Sequence, residues 1–206
     1  MADPSYIVDG VLTDGEAWVA VASTTLTSDA ASITFTSTDD GQVGDFSQYM
    51  DLVAICYWAG TQTGAGYQFG LCNMNGDGSH GNYSSQHLVA DGNEALSVYD
   101  TGTEWPLVIA VGCVKAVTSP STISLNIFGS TICHFFDINS GKYKTSLSQN
   151  AGDIALQANG SFRLGISART WESQAAVTSL VFHMQSGNIR DESRIDLFGV
   201  LPRMVA

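Results

Sequence analysis

Apolar and polar residues alternate with a period of two along much of this chain, a pattern typical of β-strands with one buried and one solvated face. The clearest alternation spans residues 33–36, 122–127 and 162–169. It predicts six side chains that face a common core, namely Ile33, Phe35, Leu125, Ile127, Leu164 and Ile166. Eight more strands are predicted at residues 17–26, 49–59, 66–72, 84–90, 105–115, 131–137, 177–184 and 194–200.

Clusters of turn-forming residues separate these stretches, as in Asn75-Gly76-Asp77-Gly78 and Asn139-Ser140-Gly141. Charged residues make up only 14% of the chain, and 21 of the 206 residues are glycine. Short strands, many turns and little helical periodicity predict an all-β fold, an antiparallel β-sandwich of jelly-roll-like form with little helix. We expect one domain over residues 19–206, preceded by residues 1–18 as an extended N-terminal arm.

The charge distribution limits the partners that the chain can have. Residues 1–114 carry 14 acidic residues and no Lys or Arg, whereas residues 115–206 carry 8 basic and 6 acidic residues. A phosphate backbone or an anionic membrane surface needs a concentrated cationic patch, so neither nucleic acid nor a membrane is expected as a partner. The longest apolar run, residues 107–114, is far shorter than the ~20 residues of a membrane span.

One loop has the spacing of a weak calcium site. Asn73, Asn75 and Asp77 occupy positions 1, 3 and 5 of a calcium-binding loop, but Ser84 stands where a bidentate Glu is expected at position 12. The alternative is a turn in which the Asn and Asp side chains bind their own backbone, and the sequence favours this turn.

Catalytic motifs are absent from the sequence. The four histidines have no metal-binding spacing, and Ser79-His80 lacks the Gly-x-Ser-x-Gly motif of a nucleophile elbow. Cys56, Cys72, Cys113 and Cys133 contain no Cys-x-x-Cys pair, so we expect reduced thiols in the core. The sequence therefore predicts a protein that is not an enzyme, with no cofactor and no catalytic residue.

Several segments, in their order along the chain, resemble a family of small β-rich virion proteins of tailed bacteriophages, which includes capsid decoration and tail-fibre-like proteins. Residues 22–37 resemble the first two strands of that family, and residues 49–57 its next strand. The Asn75-Gly76-Asp77-Gly78-Ser79 loop is followed by segments similar to later family segments, at residues 82–84, 86–88, 164–171, 176–180, 186–188 and 194–200.

The resemblance implies a non-enzymatic structural role in a virion that is assembled in the cytoplasm of a bacterial host. A capsid decoration protein that stabilises the head is the preferred placement, and a tail-fibre or receptor-binding protein is the alternative. A carbohydrate-binding β-sandwich module is a further alternative, in which Trp18, Trp58, Trp105 or Trp171 would form a stacking platform. The implied partners are the major capsid protein or another virion protein, together with other copies of the chain in a homotrimer.

Residues 1–18 are the predicted anchor to such a partner. This segment has acidic residues, no basic residue and several apolar side chains. A free extended segment loses backbone entropy when it becomes ordered, so we expect it to order only on contact with its partner. The predicted partner-binding residues are Asp3, Tyr6, Ile7, Val8, Asp9, Val11 and Leu12.

Overall fold

The fold is all-β, as predicted. The computed structural model describes residues 7–8, 11–12, 18–62, 68–90, 95–100, 108–114, 128–153 and 162–201. The strands in these ranges are β1 (Ile7–Val8), β2 (Val11–Leu12), β3 (Trp18–Thr25), β4 (Ser32–Thr36), β5 (Asp51–Trp58), β6 (Gln68–Met74), β7 (Tyr83–Ala90), β8 (Ala95–Asp100), β9 (Val108–Val114), β10 (Gly129–Phe136), β11 (Lys144–Asp153), β12 (Phe162–Trp171), β13 (Ser179–Met184) and β14 (Arg194–Val200). The helices are single 3₁₀ turns at Phe46–Gln48 and His80–Asn82.

Two antiparallel sheets pack face to face as a sandwich. The larger sheet has eight strands in the order β3-β14-β5-β10-β11-β12-β7-β8, and the smaller has four in the order β4-β13-β6-β9. The chain passes repeatedly between the sheets, since β4, β6, β9 and β13 alternate along the sequence with strands of the larger sheet. β9 packs against β10, β11 and β12, so it covers one half of the larger sheet.

An apolar cluster holds the two sheets together in the other half. Phe182 on β13 lies edge-on to Phe35 on β4 and to Trp58 on β5, with ring centroids 6.0 and 6.4 Å apart. All three side chains are buried, and Gly70 on β6 lies so close to the Trp58 indole that a Cβ there would overlap the ring. Tight contact between aromatic rings of facing sheets therefore fixes the spacing of the sandwich.

The predicted strands agree well with those observed. Each predicted strand within the described ranges matches an observed strand to within a few residues, whereas residues 122–127 lie outside the described residues. Two strands of the larger sheet were not predicted, β8 and β11. β11 has the sequence Lys144-Thr-Ser-Leu-Ser-Gln-Asn-Ala-Gly-Asp153, in which polar residues occupy both faces, so the alternation gives little signal.

The predicted core is right in one part and wrong in another. Ile33 and Phe35 on β4 are buried, as expected. Leu164 and Ile166 on β12 are 58% and 41% exposed and face away from the core, because the alternate residues of that strand point inward instead. Leu125 and Ile127 lie outside the described residues.

Part of the predicted N-terminal arm forms two short paired strands. Ile7 pairs with Leu12 and Val8 with Val11 in a two-stranded sheet separate from the two sheets of the sandwich. Asp3, Tyr6 and Asp9, the other predicted anchor residues, lie outside the described residues. Strand β3 begins at Trp18, at the edge of the larger sheet, so the sandwich starts one residue before the predicted boundary.

Replacing one leucine in the core and one on the outside of the sandwich tests this arrangement. Leu180 on β13 is fully buried, so Leu180→Ala should lower the free energy of unfolding by about 2–5 kcal/mol. Leu164→Ala should lower it by less than about 1 kcal/mol, because that side chain is exposed. Urea unfolding, at chain concentrations low enough that the midpoint does not depend on concentration, measures both values. Equal losses would contradict the observed facing of β12.

Candidate functional site

The outward side of four adjacent strands forms an apolar surface. We call this surface the outer face, and it consists of alternate residues from Ser84 to Ala90 on β7, from Ser130 to Phe136 on β10, from Thr145 to Ala151 on β11 and from Phe162 to Thr170 on β12. Its exposed large apolar side chains are Leu88, Ile132, Leu147, Phe162, Leu164 and Ile166. Single exposed apolar residues are ordinary, but a contiguous patch of them marks a site of interaction.

Strand register places these side chains next to each other. Ile166 on β12 lies directly opposite Leu88 on β7 and Gln149 on β11, and Gln149 lies opposite Ile132 on β10. One row across four strands therefore contains three large aliphatic side chains and a single amide. Leu164, two residues before Ile166, lies between Ala90 and Ala151 in the next row, so the apolar surface extends along the strands as well as across them.

None of the described residues that make up the outer face is Lys, Arg, Asp or Glu. Its one ionisable side chain is His134, whose Nε2 lies 2.8 Å from Oδ2 of Asp51 on β5 and whose ring stacks on Phe136 at 3.9 Å. The backbone N–H of Asp137 donates to the other oxygen of Asp51 at 2.7 Å. In a chain with a net charge of −12, a surface that spans four strands without a Lys, Arg, Asp or Glu side chain is a specific feature of the site.

The inward side of three of these strands, β7, β11 and β12, carries a layer of polar side chains. Ser85, His87, Ser146, Ser148, Asn150, Ser167 and Arg169 are all buried. The two ring nitrogens of His87 lie 2.8 Å from the hydroxyl oxygens of Ser85 and Ser167, and the Asn150 amide donates to the carbonyl oxygen of Ile109 on β9 at 3.3 Å. Hydrogen bonds between the strands and to β9 therefore compensate for the loss of water around His87 and Asn150, whereas the buried Ser148 hydroxyl has no hydrogen-bond partner within the described part of the chain.

Arg169 connects the polar layer to the smaller sheet. Its Nη1 donates to the carbonyl oxygen of Cys72 on β6 at 2.5 Å, and its Nε donates to the Ser146 hydroxyl at 3.1 Å. Its guanidinium carbon lies 5.5 Å from the Tyr83 ring and 6.0 Å from the Phe135 ring, within the range of cation–π contacts. Arg169 is thus held inside the sandwich by contacts on several sides.

A shallow groove of about 370 Å³ crosses one end of the outer face. Its outward lining residues are Ser84, Gln86, Phe136, Thr145, Leu147, Ala168 and Thr170. Hydroxyl and amide groups surround an apolar floor there, and the Gln86 amide already donates to Ser97 on β8 at 2.8 Å. Such a groove can accept uncharged groups that form hydrogen bonds, whether from a protein or from a sugar.

In the described structure, the residues of the calcium-like loop form hydrogen bonds with the chain itself. The Asn75 side chain accepts from the backbone N–H groups of Thr178 and Ser179 at 2.7 and 3.1 Å, and the Asn73 oxygen lies 3.2 Å from Nε2 of His183. Asn75 and Gly76 have φ of 54° and 67°, and the N–H of Asp77 donates to Met74, as in a type I′ turn. Among the described residues, no group of three or more His, Cys, Asp or Glu side chains can share a metal ion.

The remaining sequence candidates occupy separate positions. Trp58 and Trp171 are buried, Trp18 is half exposed beside Phe198 with ring centroids 6.1 Å apart, and Trp105 lies outside the described residues. Cys56, Cys72 and Cys133 are buried free thiols, and burial raises the pKa of Cys72 to about 11. The described helices are single turns, none with the length or hydropathy of a membrane span.

The sequence did not lead us to predict the outer face, because the alternation pattern assigned Leu164 and Ile166 of β12 to the core. The sequence does contain a signal for which side of β12 is buried. Trp171 points to the same side of β12 as Arg169 and Ser167, because alternate residues of a strand share a side. Since Trp171 is buried, Ile166 must point outward.

No family model matches the chain, and neither a curated protein nor a solved structure matches it.

The Asp77 carboxylate provides a pH-dependent test of the loop. Burial raises its pKa, but hydrogen bonds from the Trp171 indole, the Asn82 amide and the Ser79 backbone, each 2.9 Å long, outweigh burial, so the pKa is lowered. A lowered folded-state pKa stabilises the fold above the usual carboxyl pKa of ~3.9, and this stabilisation is lost as the pH falls through the folded-state value.

Asp77→Asn should therefore lower the free energy of unfolding by about 1–3 kcal/mol at neutral pH, and the difference from wild type should narrow below about pH 4. Asp39→Asn is the control, since Asp39 is an exposed turn residue whose φ of 53° asparagine tolerates. Urea unfolding at several pH values measures both. If calcium raised the melting temperature of wild type but not of Asp77→Asn, the loop would be a metal site.

Proposed function

We propose that this chain is a non-enzymatic structural protein that works by packing against other protein subunits, and that it is a capsid decoration protein of a tailed-bacteriophage virion. The outer face carries the first part of this proposal. An uncharged apolar surface that spans four strands is costly in water, and contact with another protein removes that cost. A rigid antiparallel sandwich holds the surface in one shape, which a repeating assembly requires.

The resemblance to small virion proteins supports the second part. Segments similar to that family extend from residue 22 to residue 200, and this range includes β12 and β7 of the outer face. Buried thiols, as seen at Cys56, Cys72 and Cys133, fit a protein that assembles in a reducing bacterial cytoplasm. In this proposal, residues 1–18 contact the capsid and the outer face packs laterally against a neighbouring subunit.

One observation favours a second function, the binding of a glycan by a carbohydrate-binding module or a tail receptor-binding protein. The groove beside Gln86 and Thr145 offers uncharged hydrogen-bonding groups around an apolar floor. Of the four tryptophans proposed as a stacking platform, Trp58 and Trp171 are buried in the core and cannot stack on a sugar. We therefore rank this function below structural assembly.

Locating the chain on particles tests the proposed function. Cryo-electron microscopy of virions from cells that produce the chain should show it as regular density on the head shell. Virions that lack the chain should release their DNA at a lower temperature, and addition of the purified chain should restore the release temperature. Density on the tail alone would support the receptor-binding alternative, and absence of the chain from virions would contradict a structural role.

A further inference from the structure

We infer that the outer face packs against the outer face of a second copy of this chain in a twofold contact. This inference deepens the proposed function and rests on it, because it names the partner of a surface already assigned to assembly. The chemistry, the charge and the size of the outer face each support the contact.

The chemistry of the outer face is self-complementary. Ile132, Ile166 and Leu88 form a nearly continuous aliphatic row, so a twofold rotation brings like surfaces together without an unpaired charge. The polar groups among them are the amides of Gln149 and Gln86 and nearby hydroxyls. An amide or a hydroxyl both donates and accepts hydrogen bonds, so these groups can pair with one another across a twofold axis, whereas two carboxylates or two ammonium groups could not.

The charge pattern argues against a partner of the opposite sign. A basic partner would be met by acidic side chains, and the outer face has none although the chain has 20 Asp and Glu. Two copies that each carry −12 repel each other at long range, so they can meet closely only where charge is absent. The outer face supplies such a surface on both copies.

The size of the surface is sufficient for a specific contact. Four strands about 4.8 Å apart, each contributing six residues of ~3.4 Å rise, give a projected area of roughly 400 Å². Ile55 and Tyr57 on β5 continue the exposed or half-exposed apolar surface across one more strand, to roughly 500 Å². The next strand, β14, ends this surface, because it places Arg194 opposite Tyr57 and Asp196 opposite Ile55. Two copies would together bury roughly 1,000 Å², the lower limit for a specific contact. The ion pair between Arg194 and Asp196 lies at the rim.

Sedimentation velocity over a range of chain concentrations is the direct test. Wild type should show a reversible increase from the mass of one chain to that of two, and the association should strengthen as salt is added, because salt screens the repulsion between like-charged copies. Ile166→Glu should raise the dissociation constant about 100-fold or more, since it buries unpaired like charges in the contact. Thr34→Glu is the matched control, because it adds the same charge to an exposed position on the smaller sheet and should leave the dissociation constant unchanged.

A second measurement excludes misfolding as the cause. Ile166→Glu and Ile166→Lys should each keep the circular dichroism spectrum of wild type and sediment as single chains, and an equimolar mixture should recover the two-chain species. A wild type that stays monomeric at every concentration, a trimer that Ile166→Glu leaves intact, or a mixture that does not associate would overturn the twofold contact. So would a monomeric wild type that binds a glycan array only while Ile166 is intact.

A failure of the twofold contact can be distinguished from a failure of the proposed function. If the chain forms the two-chain species but is absent from virions, the virion role fails and the contact stands. If it decorates heads but stays monomeric in solution, and Ile166→Glu decorates equally well, the contact fails and the virion role stands.

Discussion

Which side of strand β12 points into the sandwich depends on the burial of Arg169. Its guanidinium donates to the Cys72 carbonyl in the opposite sheet and to Ser146 on the adjacent strand, and it lies near the rings of Tyr83 and Phe135. Successive strand residues point to opposite sides, so an inward Arg169 requires an inward Ser167 and an outward Ile166. The buried Arg169, together with the buried Trp171 two residues further along, thus holds the aliphatic side of β12 toward solvent.

As a result, the two halves of the sandwich interior are held together by different interactions. Around Phe182, Phe35 and Trp58, aromatic and aliphatic packing supplies the stability, as in an ordinary hydrophobic core. Beneath β9, a layer of serines with His87 and Asn150 joins the strands by hydrogen bonds, which contribute less net stability than apolar burial. The exposed large apolar residues of that second half lie on the outer face, where contact with another chain can bury them.

The sequence predicted the fold class and most strands because period-two alternation is a local signal. It did not predict which side of β12 is buried, since that depends on partners distant in sequence. Leu164 and Ile166 are apolar, as residues that face a core usually are. Arg169 and Trp171 point to the opposite side of β12, and the contacts of these two larger side chains place that opposite side in the core. Strand β11 was missed for a related reason: its inward residues, Ser146, Ser148 and Asn150, are buried although they are polar, so hydrophobicity does not indicate which side of the strand faces the core. The outer face could be recognised only once these strands were paired in register.

Thiol labelling of two adjacent positions tests the inverted facing of β12 most directly. Ile166→Cys and Ser167→Cys place a new thiol on opposite sides of the strand, and the native cysteines of the described structure are buried. At chain concentrations below the range of self-association, a maleimide reagent should react rapidly with the Ile166→Cys variant and slowly with the folded Ser167→Cys variant. Fast reaction at position 167 with protection at position 166 would show that the aliphatic side of β12 faces the core, and would contradict both the inward position of Arg169 and the existence of the outer face.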